Sequence, residues 1–232
     1  MNVAIIAAGG KGERFRNSLP KQLFPLKGKP MLSYTLLPFH LEQKIDEVIL
    51  VCPFGEPEEI YRRILEQGKF QKVRLVSGGE SRYTSVRNGF ESIRNAQPRD
   101  VVLIHDAARP LLSSLLLTRL LEVAAVKGAA VPVMTVGETV KKVENQSVTE
   151  TVPREHLFLA QTPQGFWYEV LKRAYDLVPS HSFTGYGLTD EAMLVEQSGF
   201  PVAVVPGEKQ NIKITEPEDV SIAECYLEKG GL

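Results

Sequence analysis

Short, largely apolar runs alternating with amphipathic segments constrain this chain more than any other feature. The runs are Val3–Ala8, Val48–Val51, Val73–Val76, Val101–Ile104 and Ala129–Val133. A strand that is apolar on both faces must be covered on both faces, which is the condition of a parallel sheet flanked by helices. The intervening segments supply the helices. Residues 57–67 (PEEIYRRILEQ) place Ile60, Ile64 and Leu65 on one face, and residues 84–94 bring Val86, Phe90 and Ile93 together. Residues 115–126 end before Gly128, a glycine suited to a helix C-cap. The expected fold is therefore α/β and Rossmann-like. In such sheets ligands bind beyond the carboxyl ends of the strands.

The pattern changes once. Residues 135–152 (TVGETVKKVENQSVTETV) are polar and β-branched, with a turn signal at Glu144-Asn145. This reads as a β-hairpin arm over about 135–155 that leaves the main body. An isolated hairpin is marginal in water, so the arm should pack on something, a second copy of the chain included. The α/β pattern then resumes, with helices expected over Phe166–Leu177 and Leu188–Ser198 and a strand over Val202–Val205. Thr215-Glu216-Pro217-Glu218 opens a final helix. With 232 residues, the chain suits one domain spanning 1–232.

Composition narrows the partners. The net charge is −1, without the basic excess of a nucleic-acid binder, so local positive charge should serve a small anion. No apolar run reaches the ~18 residues of a membrane span, and the first residues read as a strand and not as a leader. The two cysteines, Cys52 and Cys225, have no metal-ligand spacing and read as free, buried thiols of a reducing compartment, hence a cytoplasmic protein.

The first apolar run breaks into Ala8-Gly9-Gly10-Lys11-Gly12-Glu13-Arg14, with Pro20-Lys21 following. Glycines after a strand let backbone N–H groups approach an anion closely. The dinucleotide fingerprint fails because Phe15 stands where its third glycine belongs, and the Walker loop fails for want of Gly-Lys-Ser/Thr. Arg14 and Lys21 beside a nest of backbone donors suit a polyphosphate. The residues alone also allow a tight turn with two solvated cations.

Six segments, in order, carry a resemblance: AGGKGERF followed by PK, SGGESRYTSVRNG (77–89), HDAARP (105–110), TPQGF (162–166), TDEA (189–192) and NIKIT (211–215). Together, over residues 2–228, they resemble the 2-C-methyl-D-erythritol 4-phosphate cytidylyltransferase family of non-mevalonate isoprenoid synthesis. The resemblance implies that Ala8, Gly9, Gly10, Gly12, Gly79, Ser85, Asp106 and Ala107 bind CTP, the Gly79–Ser85 loop reading the cytosine edge. It implies that Asp106 holds Mg²⁺, a hard cation suited to carboxylate and phosphate oxygens. Read without it, Asp106 could be a helix N-cap or an ion-pair partner of Arg109, the Gly78-Gly79 loop a plain turn, and Lys213 part of a solvated strand face. His105 reads as structural, because a phosphate nucleophile needs no base.

The same resemblance gives Arg14, Lys21, Arg154 and Lys213 catalytic roles. Thr139, Arg154, Thr162, Thr189 and Lys213 would bind 2-C-methyl-D-erythritol 4-phosphate, with Thr139 and Arg154 reaching a partner's site from the arm of a homodimer. Alternation sets Lys213 on the face opposite Ile212 and Ile214. Two positions depart from the family pattern: Gly9, where alanine is frequent, and Gln210, where an acidic residue often precedes Asn-Ile-Lys; the second leaves Asp106 as the named metal carboxylate. Three other readings remain: a ribitol-5-phosphate cytidylyltransferase, a pyrophosphorylase using another base, and a nucleotide-binding regulator without turnover.

Overall fold

The computed structural model describes residues 1–9, 20–55, 58–177 and 188–229. Its centre is an eight-stranded sheet. Its first strand is β1 (Asn2–Ala7); a small hairpin of β2 (Pro25–Leu26) and β3 (Lys29–Pro30) stands apart from the sheet. Strands β4 (Glu47–Cys52), β5 (Val73–Ser77) and β6 (Val101–Asp106) join β1 in parallel, with β1 between β4 and β6. Beyond β6 come β11 (Gln164–Trp167) and β7 (Ala129–Thr135). Strand β10 (Phe158–Ala160) runs antiparallel and β12 (Ala203–Pro206) parallel to β7.

Strand alternation explains the two cores. Ala4 and Ile6 of β1 face one cluster, built with α1 (Met31–Leu41), α2 (Glu58–Gln67) and α4 (Ser114–Lys127). Val3 and Ile5 face the other, built with α3 (Arg82–Glu91), α5 (Tyr168–Leu177) and α6 (Glu191–Gln197). The central strands β1, β4 and β6 are thus buried on both faces, as their apolar runs require, whereas the outer strand β5 is only partly covered. Gly128 caps α4 at φ 82°, a left-handed conformation in which glycine carries no Cβ penalty. A third cluster joins α7 (Pro217–Glu228) to Leu26, Met31 and Ile214.

The arm is present. Strands β8 (Val140–Glu144) and β9 (Ser147–Val152) pair with each other and form a separate sheet. Its turn falls one residue later than expected, on Asn145 and Gln146 at φ 49° and 63°. Positive φ at both central residues is the type I′ geometry that matches strand twist.

Several expectations need correction. Phe166 lies in β11, antiparallel to β6, and the helix starts only at Tyr168. Ile60 is exposed; the buried face of α2 is Tyr61 and Ile64, one step round the helix. Helix α6 starts at Glu191, because the Asp190 carboxylate accepts the Met193 N–H as an N-cap. Both cysteines are free, but Cys225 is exposed on α7. Cys52 is buried, which pushes its thiol up to about 12. Residues 211–215 belong to no strand or helix, so Lys213 does not lie on a strand. Among the described residues no helix is long and apolar enough to cross a membrane.

Candidate active site

The sheet order reverses around β1, and a crevice opens there beyond the carboxyl ends of β1 and β6. Ala7 and Asp106, the last residues of these strands, are register partners. The Ala107 N–H donates to the Ala7 carbonyl at 3.1 Å, and the Ala8 N–H donates to that of Val51 at 3.0 Å. The strand ends are thereby held flush. Lys21, Arg82, Ser85, Asp106, Ala107 and Lys213 converge on a cavity of about 90 Å³, with Ala8 and Gly9 in its wall. A larger groove of about 730 Å³ lies elsewhere, against Leu37, Leu41 and Leu112. Chemistry and not size marks the first as the site: the charged groups gather there.

Asp106 organises it. Lys213 Nζ lies 2.8 Å from Oδ2, Arg109 Nε 3.7 Å from Oδ2, and Arg82 Nε 3.4 Å from Oδ1. Burial alone would raise the Asp106 pKa; the charges of Arg82 and Lys213 outweigh it and hold the carboxyl far below the usual range. Asp106 is therefore an anion at any physiological pH. The ion pair with Arg109, one of the readings open from sequence, is present together with two stronger neighbours.

Behind Asp106 stands a buried support. The Thr162 hydroxyl accepts the Asp106 N–H at 3.1 Å and lies 3.0 Å from His105 Nδ1. His105 Nε2 lies 3.0 Å from the Arg109 carbonyl, which can only accept, so the proton sits on Nε2 and Thr162 donates to Nδ1. Burial pushes His105 down to about 4, and it stays neutral. The resemblance sets Thr162 beside the acceptor; in the structure residue 162 is buried and its hydroxyl makes these two contacts.

The Gly79–Ser85 turn is closed by its own residues. Ser85 Oγ accepts the Gly79 N–H at 3.0 Å and donates to the Gly79 carbonyl at 3.2 Å. Gly78 packs so closely on the end of β4 that a Cβ there would stand 2.4 Å from the Cys52 carbonyl oxygen. The Ser81 hydroxyl, which accepts the Thr84 N–H, caps α3 and starts it beside the cavity.

Gly10, Gly12 and Arg14 lie outside the described residues. Thr189 is exposed just before α6, its hydroxyl 3.6 Å from Met193 Sδ. Thr139 and Arg154 flank the two arm strands, away from the cavity lining, and Arg154 donates to the Gly137 carbonyl. Sequence reasoning missed Glu191, whose carboxylate takes both terminal nitrogens of Arg82 at 2.9 Å. It also missed Asn211, which donates to the Thr162 carbonyl at 2.8 Å and fastens the Lys213 segment to the support. Both stand inside segments that carry the resemblance, TDEA and NIKIT, but only long-range contacts reveal their partners.

No group of three or more His, Cys, Asp or Glu side chains that could hold a metal occurs among the described residues. The donor set is one ionised carboxylate. It suits Mg²⁺ that arrives with phosphate oxygens and water, since Mg²⁺ is commonly held by one or two carboxylates plus substrate phosphates.

The model of the 2-C-methyl-D-erythritol 4-phosphate cytidylyltransferase family matches residues 2–229. Two relatives of that name share 41% identity with this chain: one from Geotalea uraniireducens, covering 97% of this chain and 95% of its own, and one from Bacteroides fragilis, covering 97% and 98%. The crystal structure of the enzyme of that name from Thermus thermophilus superposes with a TM-score of 0.78 at 34% identity, covering 98% of this chain and 100% of its own. A structure described as 4-diphosphocytidyl-2C-methyl-D-erythritol synthase gives a TM-score of 0.82 at 29% identity, covering 97% and 98%. With its fold, its ordered segments and its near-complete overlap with these relatives, the chain belongs to the 2-C-methyl-D-erythritol 4-phosphate cytidylyltransferase family.

Proposed function

We propose that this chain transfers the cytidylyl group of CTP to the phosphate of 2-C-methyl-D-erythritol 4-phosphate and releases pyrophosphate, as one nucleotidyltransferase domain. The observation that carries the reading is the convergence of Lys21, Arg82 and Lys213 around the Asp106 carboxylate at the sheet's switch point, in a chain of this family. A phosphate oxygen of the acceptor forms a bond to the α-phosphorus of CTP as the bond to the β-phosphate bridging oxygen breaks. The departing pair of electrons leaves with pyrophosphate.

The nucleophile needs no general base, because a phosphate monoester loses its second proton at a pKa of about 6. This agrees with the state of His105, which is buried, neutral and engaged at both ring nitrogens. The protein's task is to position the reactants and stabilise charge. Lys21, with Arg14 from the glycine loop, meets the charge that develops on the α-phosphate and the leaving group. Lys213 holds the attacking phosphate. Ser85 and Gly79 shape the turn for the base. Mg²⁺ held by Asp106 and triphosphate oxygens would neutralise phosphate charge.

The arm gives this reading a quaternary side. Val143 and Val148 on the hairpin and Leu157, Phe158 and Leu159 after it are exposed. Such a surface suits burial against a second copy, with Thr139 and Arg154 completing that copy's acceptor site in a cytoplasmic homodimer.

The test is Mg²⁺-dependent pyrophosphate release, with CTP or UTP as donor and methylerythritol phosphate or ribitol phosphate as acceptor. Release with CTP and methylerythritol phosphate alone is expected. Release with ribitol phosphate alone would keep the chemistry and overturn the acceptor; release with UTP alone would overturn the base. No release from a protein that still binds CTP would make it a binding protein.

A further inference from the structure

Arg82 and Glu191 are the first residues of α3 and α6, 109 positions apart, and they meet in a two-pronged pair at 2.9 Å and 2.9 Å. Glu191 is fully buried. Its two chain neighbours are held by Gln164 of β11, whose side chain donates to the Asp190 carboxylate at 2.8 Å and accepts the Ala192 N–H at 2.9 Å. The third edge of the guanidinium, Nε, turns to Asp106 Oδ1 at 3.4 Å. Lys213 and Arg109 approach the other oxygen, Oδ2.

Stability alone does not account for this arrangement. Well-packed apolar residues commonly replace a buried ion pair without loss. The pair does have a consequence for the site. Three cations would otherwise press on one carboxylate; Glu191 neutralises Arg82 and fixes its plane, so one edge is aimed at Oδ1 and Oδ2 stays with the half-exposed Lys213. A guanidinium with both terminal nitrogens engaged cannot swing away, whereas a lysine in its place could not fork.

We propose that Glu191 and Arg82 act as a positioning pair that aims the Asp106 carboxylate for cytidylyl transfer, a role that rests on the activity proposed above. Neither is required to touch the reacting atoms. The pair ties the TDEA segment, which begins at Thr189, to the strand end that carries Asp106.

The experiment compares wild type, E191Q, R82K and the double variant R82M/E191L by thermal unfolding, calorimetric titration with CTP, and kcat and KM for both substrates. The single variants should lose thermal stability and turnover together. The double variant leaves no uncompensated charge; it should regain a Tm within a few degrees of wild type while kcat stays down about 10- to 100-fold, the scale of a misplaced site group. A double variant with wild-type kcat, or kcat restored in step with Tm, would make the pair a fastening and overturn the proposal. If the double variant does not fold, R82K assayed well below its Tm decides: a loss of about tenfold or more supports positioning, and wild-type kcat refutes it. A wild type that binds CTP but releases no pyrophosphate with methylerythritol phosphate would overturn the cytidylyl reading itself, before any variant is made, and the pair's role falls with it.

Discussion

Lys213 Nζ stands 2.8 Å from Asp106 Oδ2, and a backbone hydrogen bond joins the two segments that carry them. The Ile214 N–H donates to the Ala108 carbonyl at 2.8 Å, so the lysine segment is stitched to the residues that follow β6. Lys213 is 41% exposed along its side chain, so the pair contributes at most about 1 kcal/mol to stability. Lys213→Ala should therefore leave the Tm nearly unchanged and lower kcat by about 10²–10³-fold. Thermal unfolding and pyrophosphate release on the same sample check both halves.

Lys21 opens a short 3-10 turn (Lys21–Leu23) and lines the cavity. Lys21→Ala is expected to fold normally, judged by circular dichroism, and to lose most turnover, about 10²-fold or more. Turnover near wild type would remove Lys21 from the charge-stabilising role.

His105 sets a pH dependence of stability. Its pKa falls from 6.5 to about 4 on folding, so between those values the unfolded chain binds a proton that the folded one does not. Stability therefore rises with pH through this window and drains as pH falls from 6.5 towards 4, by about 3 kcal/mol at 1.36 kcal/mol per unit. Urea unfolding at steps from pH 7 to pH 4 should show the decline, and His105→Gln should flatten it. Asp106, also lowered, is expected to add its own loss only below the unfolded carboxyl value of about 3.9.

Gly89 lets α3 lie close on the sheet. A Cβ there would stand 2.8 Å from Val51 Cγ2 and 2.9 Å from Ile5 Cγ2, both in the buried core. Gly89→Ala improves helix propensity by about 1 kcal/mol, but overpacking costs about 1–3 kcal/mol. A net destabilisation is expected, read as a lower urea midpoint. A gain in stability would show that α3 can lift without cost.

Val143 and Val148 face each other across the arm hairpin and are 56% and 61% exposed. If the arm docks on a second copy, Val143→Asp with Val148→Asp should shift the mass measured by light scattering from dimer towards monomer and reduce turnover. An unchanged mass would free the arm of that role.

Much of the sheet was legible. Runs such as Val48–Val51 and Val101–Ile104 are apolar at every position, as a strand covered on both faces requires. The α4 end at Gly128 was legible for an equally local reason, and the arm's turn to within one residue. Helix α1 was not: it is apolar almost all round and carries Pro38, so it shows no contrasting face. Strand β11 was hidden because Gln164–Trp167 runs straight into an amphipathic helix, and periodicity alone extends that helix backwards over Phe166.

In the candidate site the division follows the same physics. Glycines after a strand, paired cations and an acidic residue at a strand end are local features, and these drew attention to Gly9, Lys21 and Asp106; Lys213 was named through the resemblance alone. Partnership is not local. That Thr162 supports Asp106 from behind, that Asn211 fastens the lysine segment, and that Glu191 holds Arg82 across 109 residues depend on where the sheet brings separate strand and helix ends together. The sequence determined which groups carry charge and which runs must be buried, because those are properties of side chains and their spacing. Only the tertiary structure decided which charges face one another, because Coulomb and hydrogen-bond energies depend on distances that the chain acquires when it folds.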